Sequence, residues 1–285
     1  MTQYDAIVIG GGINSLAAAA LLAQEEKSIL LLESRDTLGG MASSFEFTPG
    51  FRCNMVYDYI RWIDPRLINQ LNLQEYGFEL ASPDPLRVAL DEKGGHIIFH
   101  TDPEKTAASI ASHSTVDAQK WPEFTEYIKK LTCFLEPLYK ITPPVISKLG
   151  LADALSLSTM LKPICKYGSR GLVDTIRTVP MMMPELLDEW FESELLRGSL
   201  AASGITHINE GPYSAATGLN FLHQHIHVSG QIQSAYYING GTDKFAYALG
   251  QAAEKMGVNI RTGTPVSSIN CKSGICFGVS TSDGQ

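Results

Sequence analysis

The sequence has no uninterrupted apolar run near the roughly 18 residues of a spanning helix, which predicts that no segment crosses a membrane. It is also short of positive charge. Its 285 residues carry 22 Lys and Arg against 30 Asp and Glu, for a net charge of −8. That balance argues against a nucleic-acid-binding surface. Cysteine is sparse, odd in number and scattered: Cys53, Cys133, Cys165, Cys271 and Cys276. The pattern predicts free thiols in a reducing compartment. Cys271 and Cys276 flank a Lys-Ser-Gly turn without C-x-x-C spacing, so catalytic thiol chemistry is not expected. The chain enters its first strand almost at once, which predicts no signal or transit peptide and hence a cytoplasmic protein. The apolar fraction of 44% and charged fraction of 18% are those of a soluble globular protein. The length suits one large domain or two interleaved ones.

What the sequence does have is concentrated near its start. Ala6 to Ile9 is a short apolar run rich in β-branched residues, read as a strand buried on both faces. Gly10 and Gly12 follow, then an Ala/Leu-rich helix from near Asn14 to about Glu26. A second apolar strand, Ile29 to Leu32, ends on Glu33. Gly10 permits a tight turn, and the missing Cβ of Gly12 lets backbone approach a pyrophosphate. The amides of the first helical turn, at Ile13, Asn14 and Ser15, then face the phosphates with the positive end of the helix dipole behind them. Glu33 is placed to accept hydrogen bonds from both ribose hydroxyls, and its charge repels a 2′-phosphate, which disfavours NADP. Ser15 occupies the third-glycine position of the fingerprint. The strand before, the helix after and the acid about 20 residues on are the context that marks a dinucleotide site.

The run Glu33-Ser34-Arg35-Asp-Thr-Leu-Gly39-Gly40-Met41-Ala42 resembles the FAD-dependent phytoene desaturase and amine oxidase superfamily. In that group the acid is followed by Arg and a Gly-Gly doublet that passes over the cofactor phosphates. The resemblance therefore implies FAD, with a nicotinamide-dependent fold as the alternative. It also implies that the segment through Tyr57 and Tyr59 passes near the flavin and a substrate cavity. Read from the residues alone, both tyrosines could equally pack in a core with their hydroxyls outward. Pro184 to Ala201, with its Trp-Phe-Glu-Ser run, and Gly218 to His225 are similar to the pyridine-nucleotide-disulphide-oxidoreductase-domain branch. Bottom-up, the first of these is a helix laying Leu187, Trp190, Phe191 and Leu195 into a core. Near the end, Gly240-Gly241 and a helix from Thr242 to Met256 resemble the family's return to the cofactor domain, and Val266 matches the position whose backbone meets adenine.

Between these ends, Leu80 to Phe99 reads as short strands broken by Pro83, Pro85 and Gly94-Gly95. Asp102-Pro103 can open a helix, and Trp121, Phe124, Ile128, Leu131 and Leu135 recur at helical spacing. Pro143 to Gly168 is apolar and amphipathic, with Lys148, Lys162 and Lys166 interspersed. A cap helix over an apolar cavity is favoured there over an interfacial helix resting on a membrane surface. His223, His225 and His227 alternate, so on a strand they would share one face. A cavity-lining or solvated face is expected rather than a metal site, with His223 a substrate-side candidate beside Tyr57 and Tyr59.

The resulting expectation is an α/β protein: a Rossmann-type FAD-binding domain interleaved with an α+β substrate or cap domain. Its boundaries are 1–78 and 234–285 for the cofactor domain and 79–233 for the cap. The expected activity is that of an FAD-dependent oxidoreductase taking a hydride from a small, largely apolar substrate, with no catalytic residue assigned. The resemblance covers the family's N-terminal half, so a second polypeptide, or a missing C-terminal half, is expected to supply the rest. The alternatives are an NAD-dependent dehydrogenase and a cofactor-bound, non-catalytic subunit of a complex.

Overall fold

Two parallel strands, β1 (Ala6–Ile9) and β2 (Ile29–Leu32), pair in the register Ala6↔Ile29 to Ile9↔Leu32. They belong to a computed structural model that describes residues 3–56, 59–143, 147, 150, 153, 157–159, 161–227, 232–233 and 235–282. The chain divides into one unit of Met1–Ser82 with Tyr236–Gln285, and a second of Pro83–Ala235.

In the first unit β2 is the middle strand of a parallel sheet ordered β1-β2-β9, with β9 at Asn259–Arg261. All four β2 side chains are buried, as a central parallel strand requires. β1 departs from the sequence expectation: it is only half-buried, and Ile9 is 46% exposed. Among the described residues β1 is bonded along one edge only, so its outer side lacks cover. Helix α1 (Ile13–Gln24) runs between β1 and β2, and α9 (Asp243–Lys255) leads into β9. Both bring small residues to the core: Ala19, Ala20 and Ala23 from α1, and Ala246, Ala248, Ala252 and Ala253 from α9. Side chains that short let two helices pack closely. Hairpins β3–β4 (Ser44–Thr48, Phe51–Asn54) and β10–β11 (Val266–Lys272, Ile275–Thr281) complete the unit, with helix α2 (Pro65–Gln70) and the short pair β5–β8 (Leu80–Ala81, Tyr237–Ile238). Cys271 and Cys276 are opposed across β10–β11 with Cα atoms 4.1 Å apart, and they form a disulfide. That corrects the expectation of five free thiols; Cys53, Cys133 and Cys165 are free.

The second unit opens with the antiparallel hairpin β6–β7 (Arg87–Leu90, His96–Phe99). Helix α3 (Pro103–Ala111) starts where the Asp102 side chain accepts from the Glu104 amide. Helix α4 (Thr115–Leu135) is capped by Ser114 in the same way. Trp121, Phe124, Ile128, Leu131 and Leu135 form its buried face, as their spacing predicts. Phe124 meets Phe191 edge-on at 4.9 Å and Trp190 at 5.5 Å between ring centroids. The stretch read as one helix from Pro184 is in fact two, α6 (Met183–Asp188) and α7 (Glu194–Gly204). The fully buried Asp117 carboxylate causes the break. It accepts from the amides of Glu192 (2.9 Å) and Ser193 (2.8 Å), and Ser193 then caps α7. Further helices of this unit are α5 (Leu161–Thr178), bent at Gly168, and α8 (Thr217–Gln224). Among the described residues, no helix is long and apolar enough to cross a membrane. Part of the amphipathic run 143–168 lies outside the described residues.

Candidate dinucleotide site

The site forms at the carboxyl ends of β1 and β2. Gly10 leaves β1 at φ +95°, a conformation that glycine adopts without strain, and its amide donates to Leu32 O at 2.7 Å. Gly12 precedes α1 in an extended conformation and offers no side-chain cap, and no acid stands in the first turn. The first amides of an α-helix have no intrahelical partner, so those of Ile13, Asn14 and Ser15 are the available donors here. A Cβ built on Gly10 or on Gly12 would meet nothing within 4 Å. The turn therefore leaves open space in front of a helix N-terminus, which is the geometry a phosphate occupies.

Glu33, 6% exposed, stands beneath this turn. Its Oε2 accepts from the Gly11 amide at 2.5 Å, while Oε1 accepts from the Arg35 amide at 2.8 Å and from the Ser34 hydroxyl at 3.1 Å. Burial pushes its pKa up. The hydrogen bonds from Arg35 N–H, then Gly11 N–H and Ser34, with the Arg35 charge, outweigh it and leave the carboxyl below its ordinary value. Glu33 is therefore ionised at neutral pH. It also braces the glycine turn, a job that sequence reasoning, which gave it only the ribose, did not anticipate. A carboxylate oxygen has two lone pairs, so Oε2 keeps one acceptor direction beyond Gly11.

The glycine doublet lies directly on the turn. Gly39 N–H donates to Gly11 O at 2.8 Å, and Gly12 and Gly39 form a parallel bridge. Gly40 has φ +57°, and a Cβ on it would come within 3.2 Å of Gly12 Cα, so backbone packs on backbone. A 3₁₀ turn over Gly40–Ala42 follows, with Met41 exposed and Ala42 buried. Residues not singled out from sequence hold it in place. The Thr242 hydroxyl donates to Ala42 O (2.8 Å), the Ser43 hydroxyl to Gly40 O (2.8 Å), and the Ser44 hydroxyl to Asp243 (2.9 Å). Arg52 pairs with Asp243 at 2.8 Å, and Asn54 accepts from the Thr242 amide at 3.0 Å. The only signal in the sequence was Gly240-Gly241-Thr-Asp at the head of α9. Val266 begins β10, two residues after Thr264, whose amide donates to Glu33 O at 2.8 Å.

Gly10, Gly12, Ile13, Asn14, Ser15, Glu33, Ser34, Arg35, Gly39, Gly40, Met41 and Ala42 are thus one constellation, with Val266 tied to it through Thr264. Tyr57 lies outside the described residues. Tyr59 is buried in the first unit, with the Arg61 guanidinium 4.8 Å from its ring centroid. His223 belongs to the second unit. The three histidines do not share a strand face, because the segment is the C-terminal end of α8: His223 sits in its last turn, His225 follows it, and His227 takes φ +65°. His225 is buried, donating from Nδ1 to Phe221 O (2.7 Å) and accepting at Nε2 from the Gln233 amide (3.2 Å). His223 Nδ1 meets the Tyr139 hydroxyl at 2.6 Å; burial lowers the His223 pKa and raises that of Tyr139. Among the described residues there is no group of three or more His, Cys, Asp and Glu able to hold a metal ion.

Fold and turn are those of a Rossmann-type α/β unit, and comparison with known proteins gives the same fold class. Residues 8–67 match the family described as "NAD(P)-binding Rossmann-like domain". The chain is 28% identical to rat "Pyridine nucleotide-disulfide oxidoreductase domain-containing protein 2" over 95% of its own length and 49% of that protein's. It is also 28% identical to "4,4'-diaponeurosporene oxygenase" of Staphylococcus haemolyticus, over 100% of this chain and 53% of the relative. Among solved structures, wild-type putrescine oxidase bound to putrescine aligns at TM-score 0.60 and 14% identity, over 99% of this chain and 56% of that one. The chain is similar to these proteins, and it spans about half the length of the curated relatives it matches.

Proposed function

We propose that this chain binds FAD and supplies the cofactor-binding part of an oxidoreductase that takes a hydride from a small, largely apolar substrate. The observation that carries the reading is the glycine doublet lying on the glycine turn, through Gly39 N–H to Gly11 O and the approach of Gly40 to Gly12. Two backbone segments then border the space in front of an uncapped helix. The pyrophosphate is assigned to Gly10, Gly12 and the amides of Ile13, Asn14 and Ser15, with Gly39 and Gly40 alongside. The free acceptor direction of Glu33 is assigned to the adenosine ribose, and Val266 to the adenine edge. When bound, FAD supplies the two-electron chemistry, and the chain's residues contribute binding and orientation. The relatives named as an oxygenase and an oxidoreductase-domain protein support an oxidative role.

A second polypeptide segment is proposed to complete the enzyme. Its support is the one-sided pairing of β1 and the exposure of Ile9, an apolar strand edge suited to a further strand. A nicotinamide reading has one observation in its favour, the description of the family that residues 8–67 match. The ionised Glu33 disfavours the phosphorylated nicotinamide cofactor in that case.

The test is an absorption spectrum of the purified protein, with released cofactor and co-purifying chains identified by mass. Flavin bands with released FAD are expected. A colourless protein that binds NAD would overturn the flavin assignment. Turnover that appears only with a co-purifying chain would support the second segment, and flavin-loaded turnover by this chain alone would remove it.

A further inference from the structure

The protein is acidic overall, yet one helix of the second unit presents the opposite charge. The two halves of α5, on either side of the bend at Gly168, repeat a single pattern. In the first half Leu161 and Cys165 lie on one exposed stripe, with Lys162 and Lys166 beside it. In the second half Val173 and Ile176 form the stripe, with Arg170 and Arg177 beside it. Within each set the positions are three, four or seven apart, so each set shares a helix face. The apolar members point outward: Leu161 is 56% exposed, Val173 61% and Ile176 65%. The single acid in Leu161–Thr178, Asp174, is turned to Lys130 at 2.7 Å, and Arg177 meets Glu189. Lys162, Lys166 and Arg170 are thus exposed cations on a helix whose one acid is paired with Lys130, in a sequence with a net charge of −8.

A cleft adjoins that face. It has a volume of about 380 Å³ and lies between the end of α4 and the start of α5. Pro137, Ile141, Pro163 and Tyr167 contribute apolar wall, and Lys140, Lys162 and Lys166 stand around it. Glu136 also borders it, 3.5 Å from Lys140. Cations beside an apolar stripe, next to a cleft with cationic sides and apolar walls, match the two parts of a charged lipid. The stripe enters the acyl boundary, and the lysines and arginine meet the headgroups.

We propose that α5 is a docking face for an anionic phospholipid bilayer, with the cleft beside it accepting part of one lipid. This goes beyond the flavin reading and does not depend on it, since it is read by vesicle binding rather than by activity. The cap-helix expectation for 143–168 included Leu161, which is exposed; Val173 and Ile176 lie beyond that run.

The test is flotation of the intact protein with vesicles of phosphatidylcholine alone, and with vesicles that also contain phosphatidylglycerol. Binding is expected only to the second kind, weakening as salt rises. Each cation near an anionic surface is worth roughly a fivefold change in affinity. K162Q/K166Q/R170Q is thus expected to weaken binding by on the order of a hundredfold. V173S/I176S is expected to weaken it by roughly tenfold or more through lost apolar insertion. Both variants change exposed positions, and circular dichroism checks that the fold is kept. Equal binding to both vesicle types, or no binding, would overturn the proposal. So would anionic binding that both variants leave intact. Two other results would also overturn it. In one, inorganic phosphate binds the cleft but the protein does not float. In the other, the protein self-associates and V173S/I176S abolishes this, which makes the face an interface between copies.

Discussion

The two units hold themselves together by opposite means. The first packs small side chains: the alanines of α1 and α9 meet beneath a sheet whose useful end is made of backbone. The second packs large rings, with Phe99, Trp121, Phe124, Phe191 and Phe221 gathered around α4. Where a ligand is to be held by amides, the backbone must come close to itself and to the ligand, and bulk is harmful. Where the task is to fill a helical core, bulk supplies the burial. Substitutions in the two units should therefore fail in different ways.

The largest effect is expected for Phe124→Ala. Removing a fully buried ring from the aromatic cluster should cost about 3–5 kcal/mol, measured by denaturant unfolding. A loss under about 1 kcal/mol would mean that the cluster collapses around the gap and is not the stabilising core. The converse change belongs to the first unit. Ala252→Leu adds bulk at a fully buried position on α9 and should destabilise by about 1–3 kcal/mol through overpacking. Neutral behaviour there would show that the small-residue core has slack.

Gly12→Ala separates stability from ligand binding. Its φ of −72° suits alanine and nothing lies within 4 Å of the added Cβ, so stability should hold or rise by roughly 0.4–1 kcal/mol. Flavin retained through purification should nonetheless fall, because the methyl group occupies the proposed phosphate space. Full retention would place the pyrophosphate elsewhere.

The smallest effect is a pH dependence. The folded pKa of Glu33 is depressed, so its contribution is present above the unfolded value of about 4.3 and fades as pH falls through the lower folded value. Wild type should lose that increment on acidification below this window, and Glu33→Gln should show a flatter acid limb in melts taken across it. Identical limbs would mean that the Gly11 and Arg35 amides do not hold the charge.

Much of this was legible in the residues. Gly10, Gly12, Glu33 and the periodic apolar face of α4 follow from local rules that tolerate little variation. Other elements were not. Pro184 to Ala201 looked like one helix because nothing in the local pattern reveals that Asp117, far off in sequence, captures two of its amides. The alternating histidines suited a strand equally well, until tertiary packing made them a helix end. The Cys271–Cys276 pair needed the hairpin register, which the spacing alone does not supply.

The sequence by itself determined that a strand, a glycine turn, a helix and a second strand ending in an acid would come in that order, because φ/ψ preference and periodicity act over neighbouring residues. Only the tertiary structure decided that Gly39 lies on Gly11, that Glu33 braces the turn, and that Thr242 and Asp243 return some 200 residues later to secure the doublet. It also decided which apolar residues of α5 face outward. Those outcomes depend on which distant groups meet and which surfaces find cover, and that competition is settled only when the whole chain packs.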